Sequence, residues 1–450
     1  MTLDRRNVLT AGLAAGLAAG AAGAGARPTE ARAGGVSAGD FGLVSGSAAD
    51  QAAVLQAALD AATGRGAPLE LPAGRYRIGA LELRPGARLI GAVGATTLEF
   101  AGGGAFITAN HADGVMLDGL VLDGAYQAFD RVDGLVAITN SRGVCLRHLT
   151  LTRSPANGVS LTACAGSIAD CTISNVMQAA IRSLDAARLE IVHNDIADCG
   201  NNGIQVWRSE VGEDASIVAG NRIARIRADS GGSGENGNGV NAFRAGSVLV
   251  SGNRISDCAF SAVRGNAASD MQIIGNSCAR LGEVAIYAEF SFEGALIANN
   301  LVDTAATGIT VTNFNDGGRL AVVQGNLVRN LFRREHEPVD KRGHGITVEA
   351  DTALTGNVIE RAPTAGIVIG WGPYMREVVA TSNLVRASRV GILVSADKAA
   401  GACLLANNMI SGAEDGAIRA MDGNGHAVGP ELKDGDGDDK LLSIAGNLSV

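Results

Sequence analysis

Val218-Ala219-Gly220-Asn221-Arg222-Ile223-Ala224-Arg225-Ile226 and, one unit on, Val250-Ser251-Gly252-Asn253-Arg254-Ile255-Ser256-Asp257-Cys258 carry the pattern that organises most of this chain. An apolar residue stands three before the Asn, a second two after it and a third five after it. The same corner recurs at Asn194, Asn276, Asn300, Asn326, Asn357, Asn383, Asn408 and Asn447, with weaker versions at Leu120, Leu149 and Cys171. Successive corners lie 22 to 39 residues apart and never closer than 22, which describes a minimum coil with insertions. Stacking the coils puts Ile191, Val218, Val250 and Ile273 in one interior column, with Ile196, Ile223 and Ile255 in another, one residue per coil at roughly 4.8 Å. A two-residue corner needs left-handed backbone, which Asn and Gly tolerate best, and stacked Asn side chains can bond from coil to coil. These asparagines are therefore read as structural.

A second signature, Gly-Ile-x-Val or a variant, follows the corner by eight or nine residues, as at Gly203-Ile204, Gly308-Ile309 and Gly366-Ile367, and by more where an insertion intervenes, as at Gly239-Val240 and Gly345-Ile346. Three short strands per coil result, and the fold class is all-β: a right-handed parallel β-helix with an N-terminal capping helix. A leucine-rich solenoid shares the period but requires a Leu-dominated consensus and a helical segment, both missing here. The composition agrees, because 62 Gly, 9 Pro, 46% hydrophobic residues and only 4% aromatics suit an aliphatic core with many sharp turns.

Before the coils, Arg5-Arg6, an apolar run through Ala26 and the small-residue pattern Ala31-Arg32-Ala33 read as a twin-arginine signal peptide over residues 1–33. Val8 to Ala26 is rich in Ala and Gly and marginal for a membrane anchor. Residues 34–94 are assigned to an N-terminal cap and first strands, and 95–450 to the β-helix. In the cap, Val54, Leu55, Ala58, Leu59 and Ala62 share one helical face, with Gly64 as the stop. The expected protein is periplasmic or extracellular, exported by the twin-arginine machinery, and soluble once cleaved. Removing the signal's net +2 takes the formal charge from −9 to −11, which excludes nucleic acid as a partner. Of the seven cysteines, from Cys145 to Cys403, Cys199, Cys258 and Cys278 fall on interior columns; Cys199 and Cys258 have Ile226 between them, so they read as buried thiols.

Asp40-Phe41-Gly42, the segment Ala49 to Leu59 and Leu71-Pro72-Ala73-Gly74-Arg75-Tyr76 resemble the amino-terminal lead-in of the pectate-lyase-like superfamily, and the later coils resemble its repeats. With the twin-arginine signal in front, the chain also resembles a bacterial family of twin-arginine-translocated repeat proteins. The resemblance implies a fold and not a chemistry.

Proteins of that superfamily bind polysaccharide on the outer face of the Gly-Ile-x-Val strand. Alternation along that strand sends Arg182, Gln205, Trp207, Asn241, Asn266, Thr310 and Thr347 outward as candidate substrate-binding residues. Apolar side chains occupy both ends, at Val136 and Ile138 and at Val368 and Leu393. The insertions Arg227 to Asn238 and Arg329 to His344 wall the middle, so the expected site is an extended groove for a polysaccharide or oligosaccharide.

The candidate catalytic residues are Arg264, Tyr287, Glu289, His344 and Glu349. Elimination or epimerisation of a uronate needs a base and a cation, roles open to Arg264, Tyr287 and His344. Hydrolysis needs two carboxylates; Glu289 and Glu349 share a column two strands apart, roughly 9 to 10 Å, at or just beyond the upper limit for inversion. Gly343-His344-Gly345 resembles a polygalacturonase triplet, but Glu283-Val284 and Ala306-Thr307 stand where that family places aspartates, so His344 is read as a loop residue beside the ligand. The six histidines do not converge by spacing, and no metal ligand is assigned. Calcium is the one cofactor candidate, from the acidic loop Asp434 to Asp439, which lacks the Gly and terminal Glu of a calcium loop and reads as a solvated turn. The functional expectation is a carbohydrate-active enzyme, lyase or epimerase ahead of hydrolase; the alternative is a non-catalytic carbohydrate-binding protein of the envelope or surface.

Overall fold

The computed structural model describes residues 35–232, 234–334, 343–436 and 441–450. The signal-peptide assignment, His336 and part of the acidic loop lie outside the described residues. From Val36 onward the chain is an all-β parallel solenoid with sheets of 16, 15 and 15 strands, into which the strands from Leu69–Glu70 to Ile418–Met421 fall in strict rotation. The first sheet carries the residues before each corner Asn, the second those after it, and the third the Gly-Ile-x-Val strands. The coils before residue 95 already belong to these sheets: Val36–Ser37 pairs with Leu69–Glu70, and Gly74–Ile78 with Thr96–Phe100.

The interior columns run as the spacing requires. Val218, Val250, Ile273, Ile297, Val323 and Leu354 stack in register and are buried. Cys199, Ile226, Cys258 and Leu281 stack likewise, so the two cysteines are separated by a coil. All seven cysteines are free. Burial pushes the thiols of Cys171, Cys199, Cys278 and Cys403 up to about 12, which leaves them protonated packing groups.

The corners differ from expectation in one respect. Left-handed backbone falls on the residue before each Asn, as at His193, Gly220, Gly252, Asn299, Ser382 and Asn407, and not on the Asn itself. Turning inward, the Asn amide does different work. The Nδ2 of Asn221 donates to Asn253 Oδ1 (2.9 Å) and to the Ile191 carbonyl (2.9 Å), and Asn253 Oδ1 also accepts the Asn221 backbone N–H (2.9 Å). The ladder continues to Asn447 and closes the polar groups that each buried corner would otherwise strand.

Glycine in Gly-Ile-x-Val has a steric cause. A Cβ on Gly308 would lie 2.3 Å from the Gly345 carbonyl oxygen, and one on Gly345 would lie 2.2 Å from that of Gly366. Coils with Ala180, Ala262 or Ala285 at this place hold a methyl, so modest backbone shifts can relieve the clash. Gly308→Ala is therefore expected to cost about 1–3 kcal/mol, the usual range for overpacking. An unchanged urea midpoint would contradict this account.

The helix Ala52–Gly64 buries Leu55, Ala58, Leu59 and Ala62 over the first coils. Gln56 pairs with the edge strand Leu81–Leu83, donating to the Glu82 carbonyl (3.0 Å) and accepting its N–H (2.9 Å), which blunts the open edge. Gly64 is the last helical residue; the left-handed turn comes at Gly66. The other end has more than an acidic loop, because Ala427–Glu431 folds back antiparallel on Ile418–Met421 and caps the third sheet. Among the described residues no helix is long and apolar enough to cross a membrane.

Candidate functional site

Side chains leaving the core along the third sheet form two rows. One runs in register through Arg182, Gln205, Asn241, Arg264, Tyr287, Thr310, Thr347 and Val368. The other runs through Trp207, Phe243, Asn266 and Glu289, and Thr312 and Glu349 extend it one residue past the paired Ala288, Val311 and Val348. Trp207, Tyr287 and Glu349 thus stand on one wall of the solenoid. At the amino-terminal end the expected register was off by one: Val136 and Ile138 pair with Val159 and Leu161 and point inward, while Ala137 pairs with Ser160 on the outer row. Gly134 pairs with Asn157 and not with Gly158, and a one-residue slip exchanges the two faces.

The outer face is more recessed than an open groove. Glu289 is 1% exposed, Glu349 8% and Arg264 8%, because loops roof the sheet. Gly234, on the insertion before Asn238, lies directly over Arg264; with φ at +143°, a Cβ there would fall 1.8 Å from Nη1. Asn313, the turn Phe314–Asp316, Trp371 and Tyr374 cover the next coils. The cavity beneath them, of about 530 Å³ and open to solvent on one side, is lined by Arg264, Tyr287, Glu289, His344 and Glu349, together with Thr310 and Thr347. A smaller one of about 240 Å³ adjoins it across Arg264 and Glu289 and takes in Trp207, Asn241 and Asn266. Arg182 and Gln205 line neither cavity; Arg182 pairs with Asp133 (3.2 Å) and Gln205 is buried.

His344 is not on a loop. It opens the strand His344–Val348, pairs in register with Thr307 and Ala365, and is 2% exposed. Glu283, Trp371 and Tyr374 are among the lining residues that were missed from sequence. Glu283 precedes its strand by one residue and reaches the cavity from its rim; its placement beside Val284, in register with Thr307 and His344, was the available signal. Trp371 and Tyr374 come from a loop closed by their mutual backbone hydrogen bonds (3.2 and 3.0 Å), and no repeat position marked them. Both tryptophans of the chain and two of its four tyrosines consequently line these two cavities.

The two deep carboxylates occupy unlike surroundings. Glu289 Oε1 accepts from Arg264 Nε (2.6 Å) and Asn266 Nδ2 (2.9 Å). Arg264 also reaches Glu283 (3.5 Å) and lies over the Tyr287 ring, 5.0 Å from its centroid. Burial acts to lower the Arg264 pKa, but the charges of Glu289 and Glu283 outweigh it and the net shift is upward. Burial, with Glu289 adding to it, raises the Tyr287 phenol. Glu349 has no ion pair among the described residues; its Oε2 accepts the Phe314 N–H (2.7 Å). Burial pushes its carboxyl up to about 7, against the pull of the Phe314 and Asn313 backbone bonds. Among the described residues no group of three or more His, Cys, Asp or Glu side chains is placed to hold a metal.

No curated protein matches this sequence. Among solved structures, the pre-mature gene product 12 of bacteriophage phi29 superposes with a TM-score of 0.55 at 14% identity, covering 90% of this chain and 59% of that one. The N-terminal fragment of the same phage protein gives 0.56 at 14% identity, over 93% and 71%. The catalytic unit of a GH87 alpha-1,3-glucanase from Streptomyces thermodiastaticus gives 0.49 at 15%, over 92% and 69%. These likenesses are of fold; the chain spans under two thirds of the first neighbour's length. Residues 134–317 and 213–383 match the family described as right handed beta helix region, together more than half of the sequence. With its three rotating parallel sheets and its asparagine corners, the chain belongs to the right-handed β-helix family.

Proposed function

We propose that this protein is an exported carbohydrate-active enzyme that holds a glycan across the roofed cavity of the third sheet and hydrolyses it, with Glu349 as proton donor. The observation that carries the reading is the pair of buried carboxylates facing one cavity in opposite environments: Glu289 tied to a cation, Glu349 without one. Environments that separate two carboxyl groups in this way divide acid from base roles. Glu349, whose carboxyl burial pushes up to about 7 and which therefore keeps a protonated fraction at neutral pH, donates to the leaving glycosidic oxygen. Glu289, two strand spacings or roughly 9 to 10 Å along the sheet, directs a water from the other side of the ring. That separation is far too wide for a retaining pair and sits at or just beyond the upper limit for inversion at the anomeric carbon.

For elimination or epimerisation, Arg264 and Tyr287 are both shifted toward their protonated forms and so are poor proton acceptors, which leaves His344 as the one remaining base of the three candidates. Arg264 is also already engaged by two carboxylates, which leaves less of its charge for a uronate. The aromatic side chains around the cavities suit the faces of sugar rings.

Incubation with a panel of neutral and acidic polysaccharides tests the proposal. New reducing ends of inverted configuration, with no ultraviolet absorbance from unsaturated ends, are expected. Unsaturated ends would overturn hydrolysis in favour of elimination. Glycan binding with neither product would make the protein a carbohydrate-binding component of the envelope or surface.

A further inference from the structure

The row that supplies Tyr287, Thr310 and Thr347 does not end at the roofed cavity. It continues in register through Val368 and Leu393 to Arg419, where a separate cavity of about 470 Å³ opens. Three arginines line it from three different segments: Arg333 from the insertion before His344, Arg389 from the loop before Val390, and Arg419 from the sheet itself. One carboxylate, Asp415, accompanies them and pairs with Arg389. His426 also lines the cavity and has Asp422 at 3.7 Å. The lining therefore gathers a net positive charge in a chain whose formal net charge is −9.

Two of the three guanidiniums, those of Arg333 and Arg419, are held in place by uncharged groups, while Arg389 is paired with Asp415. Arg333 donates to Thr364 Oγ1 (3.2 Å) and to the Pro363 carbonyl, and Arg419 to the carbonyls of Asp415 and Gly429 (both 2.7 Å). The Nε of Arg419 has no hydrogen-bond partner among the described residues. A guanidinium has five donors, so each arginine keeps more than these bonds use. Positioned forks of this kind match the paired oxygens of a carboxylate or a sulfate.

The two cavities share a wall. Trp371 lines the roofed one, and Gly425 lines the arginine one; a Cβ on Gly425 would fall 2.9 Å from the Trp371 ring. Thr347 and Arg419 are three strand steps apart, about 14 Å along the sheet. An extended oligosaccharide can span that distance past the Trp371 edge.

We infer that the arginine cavity binds an anionic group, and that the glycan taken by this protein is acidic, its carboxylate or sulfate seated among Arg333, Arg389 and Arg419 while a neighbouring sugar occupies the roofed cavity. The second half of this inference rests on the proposed glycan site; the anion site stands without it.

The test uses the mature protein and reads binding, not turnover. Trp371 fluorescence, in a Trp207→Phe background, is followed on titration with sodium sulfate, and then with neutral, uronate and sulfated oligosaccharides. Sulfate is expected to shift the signal saturably, and acidic oligosaccharides to bind at least tenfold more tightly than neutral ones, with the advantage shrinking as sodium chloride rises. Arg389→Gln, at an exposed side chain, and Arg419→Gln should each remove most of that advantage while leaving neutral oligosaccharide affinity in place; the first guards against misfolding of the second. Preference for a uronate over a sulfated ligand, or the reverse, names the source of the charge. Sulfate binding lost in both variants, with no oligosaccharide bound, would keep the anion site and overturn its glycan role. No response to sulfate, or equal affinity for neutral and acidic ligands, would overturn the inference whatever the outcome of the hydrolysis assay.

Discussion

Glu349→Gln is expected to lower kcat on a cleaved glycan by about 10²–10⁴, the usual worth of a positioned general acid. The amide keeps the shape and can still accept the Phe314 N–H, so loss of activity without loss of fold is the anticipated result. Wild-type activity should decline as pH rises through about 7, where Glu349 gives up its proton, and the residual activity of the variant should not follow that limb. The same group governs a stability term whose sign is fixed by its shift. Its carboxyl titrates near 4.5 when unfolded and about 7 when folded, so between these values the folded chain binds the extra proton. Stability from this source is fully present below about 4.5 and is lost as pH rises through 7, a change of about 3 kcal/mol. Chemical denaturation at pH 5 and pH 8 should show wild type losing stability relative to Glu349→Gln. A variant that retains full kcat, or a wild type whose margin over it is flat with pH, would remove Glu349 from the mechanism.

The corner ladder should show the other large effect. In Asn276→Ala, Asn253 loses the acceptor for its backbone N–H and its Nδ2 (both 3.0 Å), while the Val250 carbonyl loses a donor (3.0 Å). Each buried polar group left unpaired costs about 1–3 kcal/mol, so a loss of more than about 4 kcal/mol is expected, well beyond an ordinary substitution. Asn447→Ala, at the partly exposed last rung, should cost much less. Solenoids can open coil by coil, so amide exchange at Asn253 is the sharper readout than a global midpoint. Protection there unchanged in Asn276→Ala would mean that the column of Val and Ile residues, not the ladder, holds the corners.

Much of the architecture is legible because its two periods are short and rigid. Alternation by two assigns faces along a strand, and one residue per coil assigns neighbours between strands, so Arg264, Tyr287 and Thr310 can be aligned although 23 residues separate each from the next. Counting from Asn253 or Asn276 therefore finds both the buried columns and the outer rows. Where no corner Asn fixes the register the same rigidity exchanges whole faces, and at Val136 a slip of one residue turns the strand over. Which residue of a corner takes left-handed backbone was also hidden, since Gly220 and Asn221 both suit it; the inward hydrogen bonds of Asn221 decide. The roof was beyond reach for a different reason. Gly234, Phe314, Trp371 and Tyr374 sit on insertions that follow no period, and where they come to rest depends on packing against a sheet assembled from many coils. Local sequence could thus name the carboxylates at Glu289 and Glu349, but the protonation of Glu349 follows from being covered, and covering is a property of the folded whole.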